Sequence, residues 1–252
     1  FGGHSFGNVL LTALEKMSGD FNEAVETASE ILRIRGTVIP ATLDNVRLQM
    51  EWADKKVTLH NEWVIDSENF LHDPRLAKLS LTPDPAANPM ALAAIEQADI
   101  IVIAPGDLYT SLGPLLVIDG FGDALARSKA KKFYVTNLVS KRGQTDGFTV
   151  SDHAAEIERF ASKPFLDYVL YNNADAVSDL TSRYQAEDSY LVGVDAENLA
   201  SRHYEAVGGN FLGQAAKENA ADTLIGKRSL IRHDGAAVAQ RIIDLYNESR
   251  TK

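Results

Sequence analysis

One stretch limits what this chain can fold into more than any other: A-D-I-I-V-I-A-P-G-D-L-Y-T-S, from Ala98 to Ser111. Ile100, Ile101, Val102, Ile103 and Ala104 form an unbroken apolar run rich in β-branched residues. Such a run reads as a strand buried on both faces, as in a parallel sheet, and it needs helices to cover it. Pro105-Gly106 stops the strand, Asp107 can accept hydrogen bonds from the free N–H groups of a following turn, and Tyr109, Thr110 and Ser111 set three hydroxyls at the same edge. Open α/β sheets bind ligands at that carboxyl edge. A capped core strand with no ligand is the competing reading of the same residues.

The flanking segments extend the pattern. An opening loop, Phe1 to Asn8, runs into an apolar helix from Val9 to Met17, and Asp20 can cap a second amphipathic helix from Phe21 to Ile34. From Thr37 to Leu81 the pattern turns to short β-like pieces, Val38-Ile39, Val46 to Trp52, Val57 to Leu59, Trp63 to Ile65 and Leu79 to Leu81, with a turn at Ala53 to Lys56. This reads as a β-hairpin excursion over residues 37–82 in which Trp52 and Trp63 are packing residues. Helices and strands then alternate. Met90 to Gln97 is a helix, Asp99 to Ala104 the strand, Leu112 to Ser128 helical, and Lys132 to Thr136 a strand. Ser151-Asp152 caps a helix reaching Ala161, Asp167 to Tyr171 is a strand, Val177 to Gln185 a helix, and Tyr190 to Val194 another strand. A last strand, Arg228 to Ile231, leads into a terminal helix from Ala236 to Tyr246. Strands separated by helix-length segments imply parallel crossovers. The expectation is an α/β, three-layer Rossmann-like fold with a mostly parallel sheet and an inserted β-hairpin excursion, one domain over residues 1–252. A doubly wound sheet normally has a strand ahead of the opening loop, so the first strand and phosphate loop are expected to be missing.

Composition narrows the function classes. The 252 residues are 45% apolar, enough for a substantial core. A net charge of -10 with no run of Lys or Arg argues against nucleic acid or a membrane surface as partner. No apolar run reaches the length of a membrane span, and the absence of cysteine excludes thiolate chemistry, so a cytoplasmic protein is expected.

The chemistry-bearing residues cluster after strands: Gly106 to Ser111 after the first, Asn137, Gly143, Thr145 and Asp146 after the next, Asn172 and Asn173 after the third, and Arg232-His233 near the last. Hydroxyls and amides suit ribose and base edges, and arginine suits phosphate. G-x-G-x-x-G and G-x-x-x-x-G-K-[ST] are both absent. His153 reads as a helix-start residue, and His60 and His72 as surface groups. Asp107 and Asp146 could together hold a divalent cation such as Mg2+ through oxygen ligands. The inventory favours binding over catalysis.

Seven blocks in order carry a family resemblance: G-H-S-F-G-N-V-L-L-T-A-L (Gly3 to Leu14), S-G-D-F-N-E-A (Ser18 to Ala24), I-R-G-T-V-I-P-A-T (Ile34 to Thr42), A-P-G-D-L-Y-T-S (Ala104 to Ser111), T-D-G-F (Thr145 to Phe148) with Asp152-His153, D-Y-V-L-Y-N-N (Asp167 to Asn173) and I-R-H-D (Ile231 to Asp234). The chain resembles the 2-phospho-L-lactate transferase-like (CofD-like) superfamily, and within it the gluconeogenesis-factor, YvcK-like, branch. That resemblance implies a Rossmann-like homodimer with a nucleotide compound at the carboxyl edge of its sheet. In the transferase branch the implied reaction joins a phospholactyl group from a guanylated donor to a deazaflavin, with a divalent metal. In the gluconeogenesis-factor branch the implied role is binding of UDP-sugars such as UDP-N-acetylglucosamine, linked to cell-wall precursors, cell shape and protein partners in wall synthesis. The implied ligand-binding set is His4, Gly7 and Asn8 of the opening loop, Gly106, Asp107, Tyr109, Thr110 and Ser111 of the turn, Asn137, Asn172 and Asn173, with Tyr184 and Arg232 as uridine or phosphate contacts.

The chain departs from the family pattern in informative places. A strand and a G-G-T-G loop usually precede the opening block. The turn usually reads G-P-G-S-L-Y-T-S, whereas Ala104 and Asp107 stand here for its first glycine and its serine. A carboxylate beside phosphates repels them unless a cation intervenes. The loop Ser140-Lys141-Arg142-Gly143-Gln144 replaces T-Q-P-G-E and adds two positive charges that could compensate. Three functions are therefore compatible with the sequence: a UDP-sugar-binding regulator without turnover, a phospholactyl-type transferase, and an interaction scaffold that binds no nucleotide.

Overall fold

The computed structural model describes residues 6–67, 69–174, 189–213 and 231–251. The helix expected over Val177 to Gln185 lies outside these, as do His4, Tyr184 and all of the expected last strand except Ile231.

Two helices open the described chain, α1 (Phe6–Ser18) and α2 (Phe21–Ile31), packed on each other. Asp20 caps α2 as expected, its Oδ1 accepting from the Glu23 N–H at 3.0 Å. The helix stops before Ile34, because Arg33 takes a left-handed φ of 50°.

The excursion is larger than a hairpin. It holds β1 (Arg47–Trp52), β2 (Val57–His60), a short helix α3 (Glu62–Ser67) and β3 (Lys78–Thr82), with the strands in the antiparallel order β2-β1-β3. Trp52 sits opposite Val57 and Met50 opposite Leu79. Alternation along β1 and β3 sends Leu48, Met50, Trp52, Leu79 and Leu81 into the core. The segment expected as a strand at Trp63 to Ile65 is α3 instead, and Ile65 is the residue it buries. Trp63 is 78% exposed, so of the two tryptophans Trp52 alone packs, its indole N–H donating to the Asp73 carbonyl at 2.8 Å.

Helix α4 (Pro89–Gln97) leads to β4 (Ile100–Ile103); then come α5 (Gly113–Leu116), α6 (Phe121–Arg127), β5 (Lys131–Val135), α7 (Val150–Ala161), β6 (Tyr168–Asn172), α8 (Ala196–Ala200), β7 (Glu205–Gly209) and α9 (Gly235–Thr251). From α4 to β6 the second half alternates as the sequence predicts, whereas α8 and β7 are not among the expected elements. The single helix expected over Leu112 to Ser128 is broken at Gly120, which adopts φ 89°. Thr149 rather than Ser151 caps α7: its hydroxyl accepts from Asp152 N–H, and the Asp152 carboxylate accepts from Thr149 N–H.

Strands β4, β5, β6 and β7 form one parallel sheet in that order. Tyr190 to Val194 does not join it; Leu191 and Gly193 make isolated bridges to Val139 and Thr149, and β7 takes the place beside β6. Phe133, Val135, Leu170 and Val207 face Ile242 and Leu245 of α9 on one side of the sheet. Tyr134 and Val169 face the larger core on the other, shared with Ile157 and Phe160 of α7 and with the β1–β3 sheet. The result is the expected three-layer α/β arrangement. Among the described residues β4 ends the ladder, which leaves Val102 43% exposed where the apolar run predicts burial on both faces.

Candidate functional site

The turn after β4 is built as a single π turn, Leu108–Leu112, in which the Asp107 carbonyl accepts from Ser111 N–H at 2.9 Å and from Leu112 N–H at 3.0 Å. Such widened turns recur at functional sites. It is seated on β3 by Gly113, where an added Cβ would overlap the Leu79 side chain and lie 2.8 Å from the Leu108 carbonyl. Tyr109 is completely buried, and its hydroxyl donates to Glu156 Oε2 at 2.9 Å. Burial, and then the Glu156 charge, raise its phenol well above the ordinary range. Glu156 is held in turn by Arg159 through bonds of 2.6 and 2.7 Å, and Arg159 Nη1 donates to the Ala77 carbonyl at 2.8 Å. Thr110 is also buried, donating to Asp66 Oδ1 at 3.2 Å. Of the three hydroxyls read as facing a ligand, Ser111 is the exposed one.

Asp107 caps no N–H group. Its carboxylate instead meets the Lys141 ammonium at 2.9 Å, and Lys141 also bonds Asp66. Burial opposes the charge on both Asp66 and Lys141, but their mutual bonds prevail: Asp66, helped by Thr110, titrates below and Lys141 above the ordinary range. The loop carrying Lys141 is anchored to the excursion by Gln144, which donates to the Ile65 carbonyl at 2.7 Å, and by Phe70 N–H donating to the Gly143 carbonyl at 2.7 Å. Three distant segments thus meet at one ammonium.

Beside this turn lies a cleft of about 160 Å³ at the carboxyl ends of β5 and β6, lined by Asn137, Tyr171, Asn172 and Asn173 and closed by Leu191 and Val192. Asn137 links cleft and turn, because its Nδ2 donates to the Gly106 carbonyl at 3.0 Å. Its Oδ1 is buried without a hydrogen-bond partner among the described residues. Asn172 is braced at both ends: Nδ2 donates to the Ala174 carbonyl at 2.7 Å, and Oδ1 accepts from Phe211 N–H at 3.1 Å. Asn173 is exposed, its backbone N–H donating to the Gly209 carbonyl at 3.0 Å. Gly208 leaves room for it, since a Cβ there would stand 2.8 Å from Asn173 Nδ2 and 3.0 Å from the Tyr171 ring.

The structure brings Gly106, Asp107, Ser111, Asn137, Asn172 and Asn173 to one sheet edge. Tyr109 and Thr110 support that edge from inside. Gly7 and Asn8 are exposed residues of α1 rather than of a loop, and neither lines the cleft. Arg232 is exposed, and its carbonyl accepts from Gly213 N–H at 2.7 Å; the neighbouring His233 Nε2 lies 3.1 Å from the Thr136 carbonyl at the end of β5. His153 is fully buried, with Nδ1 2.9 Å from the Thr149 carbonyl. The Asp107 and Asp146 pair does not fit a cation. Asp107 is engaged by Lys141, Asp146 Oδ2 accepts from Gly143 N–H at 2.6 Å, and among the described residues no three His, Asp or Glu side chains are grouped to hold a metal. Among them, too, no helix is long and apolar enough to cross a membrane. Tyr171, Leu191 and Val192 are cleft residues that sequence reasoning missed; apolar residues at a strand end carry no signal of lining a site.

Fold and edge together define a three-layer α/β protein with a cleft, part amide and part aliphatic, at the carboxyl end of its parallel sheet. The family model for the 2-phospho-L-lactate transferase CofD matches residues 1–212. A Thermotoga maritima relative is 36% identical over 243 residues, covering 96% of this chain and 72% of its own length. The gluconeogenesis factor of Bacillus subtilis is 31% identical over 250 residues, 98% of this chain and 73% of that protein. Longer relatives from Nostoc and Clostridium acetobutylicum are spanned over about half their length. The crystal structure of a UPF0052 family member from Bacillus halodurans superposes with a TM-score of 0.82 at 29% identity, covering 96% of this chain and 73% of that one. The chain belongs to the CofD family, in its gluconeogenesis-factor branch.

Proposed function

We propose that this chain binds a nucleotide sugar of the UDP-N-acetylglucosamine type and acts as a regulator of carbon partitioning and cell-wall precursor supply, without turnover. The observation that carries the reading is the cleft where Asn137, Asn172 and Asn173 meet. Amides offer donor and acceptor side by side, which suits the N–H and C=O edge of a pyrimidine and the hydroxyls of ribose. A cleft of about 160 Å³ seats one ring, so the diphosphate would run out along the Gly106–Ser111 turn to which Asn137 is bonded. The name of the Bacillus subtilis relative supports the metabolic setting. The working form in this reading is a cytoplasmic homodimer that engages proteins of wall synthesis. Calorimetric titration with UDP-N-acetylglucosamine tests it. Binding of one ligand per chain is expected, weakened about tenfold by Asn137→Ala and by Arg232→Ala; no heat at millimolar ligand overturns it.

A second reading, a phospholactyl-type transferase, is favoured by the name of the matching family model. Incubation with a guanylated donor, a deazaflavin and magnesium would give product if it holds, and absence of product removes it.

A further inference from the structure

The Asp66–Lys141–Asp107 cluster is more than an anchor for the loop after β5. Asp107 stands on the turn along which a diphosphate would run, and alone it would repel that anion. Lys141 reaches it from 34 residues further along the chain, at 2.9 Å, with its side chain only 28% exposed. Two of the three N–H bonds of the ammonium are committed to Asp66 and Asp107, which leaves one for a ligand oxygen. Gln144 and Gly143 fix the loop on the excursion, so the ammonium is positioned before any ligand arrives. The same carboxylate, freed of lysine, is an oxygen ligand of the kind that binds Mg2+ together with phosphate.

We propose that Lys141 takes the place of a divalent cation at the Gly106–Ser111 turn, offsetting part of the Asp66 and Asp107 charge and offering its remaining N–H, so that a diphosphate ligand binds without metal. The inference rests on the nucleotide-sugar reading of the cleft. It makes Lys141 a specificity-determining residue for phosphate, and Asp107 the reason it is needed.

The test is calorimetric titration of UDP-N-acetylglucosamine, in EDTA and in Mg2+, into the wild-type chain, Lys141→Met, Lys141→Arg and the double variant Lys141→Met with Asp107→Ser. Wild type and Lys141→Arg are expected to bind equally well in EDTA and in Mg2+. Lys141→Met is expected to lose about tenfold in EDTA and to regain most of it in Mg2+, while the double variant recovers in EDTA. That recovery distinguishes lost charge balance from a misfolded loop. Lys141→Met binding as well as wild type in EDTA overturns the inference, as does a loss that neither Mg2+ nor Asp107→Ser repairs. Inorganic pyrophosphate, titrated into the same proteins, separates the two claims. Pyrophosphate binding that follows Lys141 while the nucleotide sugar stays silent overturns the nucleotide-sugar reading and keeps the role of Lys141. Nucleotide-sugar binding that ignores Lys141 does the reverse, and no binding of either probe overturns both.

Discussion

The hydroxyl of Tyr109 donates to Glu156 Oε2 at 2.9 Å, from a ring with no exposed surface, and so a residue of the turn after β4 is spent on joining that turn to α7. Phe70 and Phe160 pack edge-on against the same ring, with centroids at 5.5 and 5.7 Å. The bond is made to a buried carboxylate that Arg159 neutralises. Tyr109→Phe keeps the packing and removes one charge-assisted hydrogen bond. We expect a loss of about 1.5–3 kcal/mol of stability, read as a lowered melting temperature, with ligand affinity changed less than threefold. A large affinity loss at unchanged stability would return the Tyr109 hydroxyl to the ligand.

Two close approaches separate the scaffold from the cleft. Gly113→Ala drives a methyl group into Leu79 and toward the Leu108 carbonyl and should cost about 1–3 kcal/mol in chemical denaturation. Gly208→Ala pushes instead on Asn173 Nδ2 and the Tyr171 ring, both at the cleft. It should weaken ligand binding several-fold in calorimetry while shifting the melting temperature less than Gly113→Ala does.

His153 sets a pH dependence. Burial lowers its proton affinity below the ordinary value of 6.5, against the opposing pull of the Thr149 carbonyl and of Asp152 and Glu156. His233 is shifted the same way, by burial first. A histidine with a depressed folded pKa leaves stability intact above 6.5, and stability falls as pH drops below that value and the unfolded chain takes up the proton first. The shifted carboxylates Asp66, Asp73 and Asp195 stay ionised down to below 3.8, so the window from about 6.5 to 5 isolates the histidines. Urea unfolding should lose up to about 1.4 kcal/mol per pH unit for each histidine there. His153→Gln should flatten that slope, and an unchanged slope would remove His153 as its source.

Three of the four parallel strands, β4, β5 and β6, were legible because long apolar runs bounded by Pro, Gly and Asn have few other uses. Trp63-Val64-Ile65 has strand-like composition, yet one buried residue per helical turn, Ile65, decided for α3. E-A-V-G-G of β7 has two glycines and little strand propensity, and it is a strand because its backbone completes the ladder on β6. At the site, the turn after β4 could be read locally as a turn. The partners of its side chains could not, since Tyr109 lies 47 residues from Glu156 and Asp107 lies 34 from Lys141. The positive charge of the 140–144 loop was visible; that Lys141 meets Asp107 is a product of tertiary packing.

The proposed function puts a nucleotide sugar in the cleft at the ends of β5 and β6. Side-chain amide resonances of Asn137, Asn172 and Asn173, followed by NMR while UDP-N-acetylglucosamine is added, test it most directly. The three are expected to shift together along one saturating curve. Unmoved amides at millimolar ligand, or shifts confined to residues away from Gly106–Ser111 and the cleft, would contradict it.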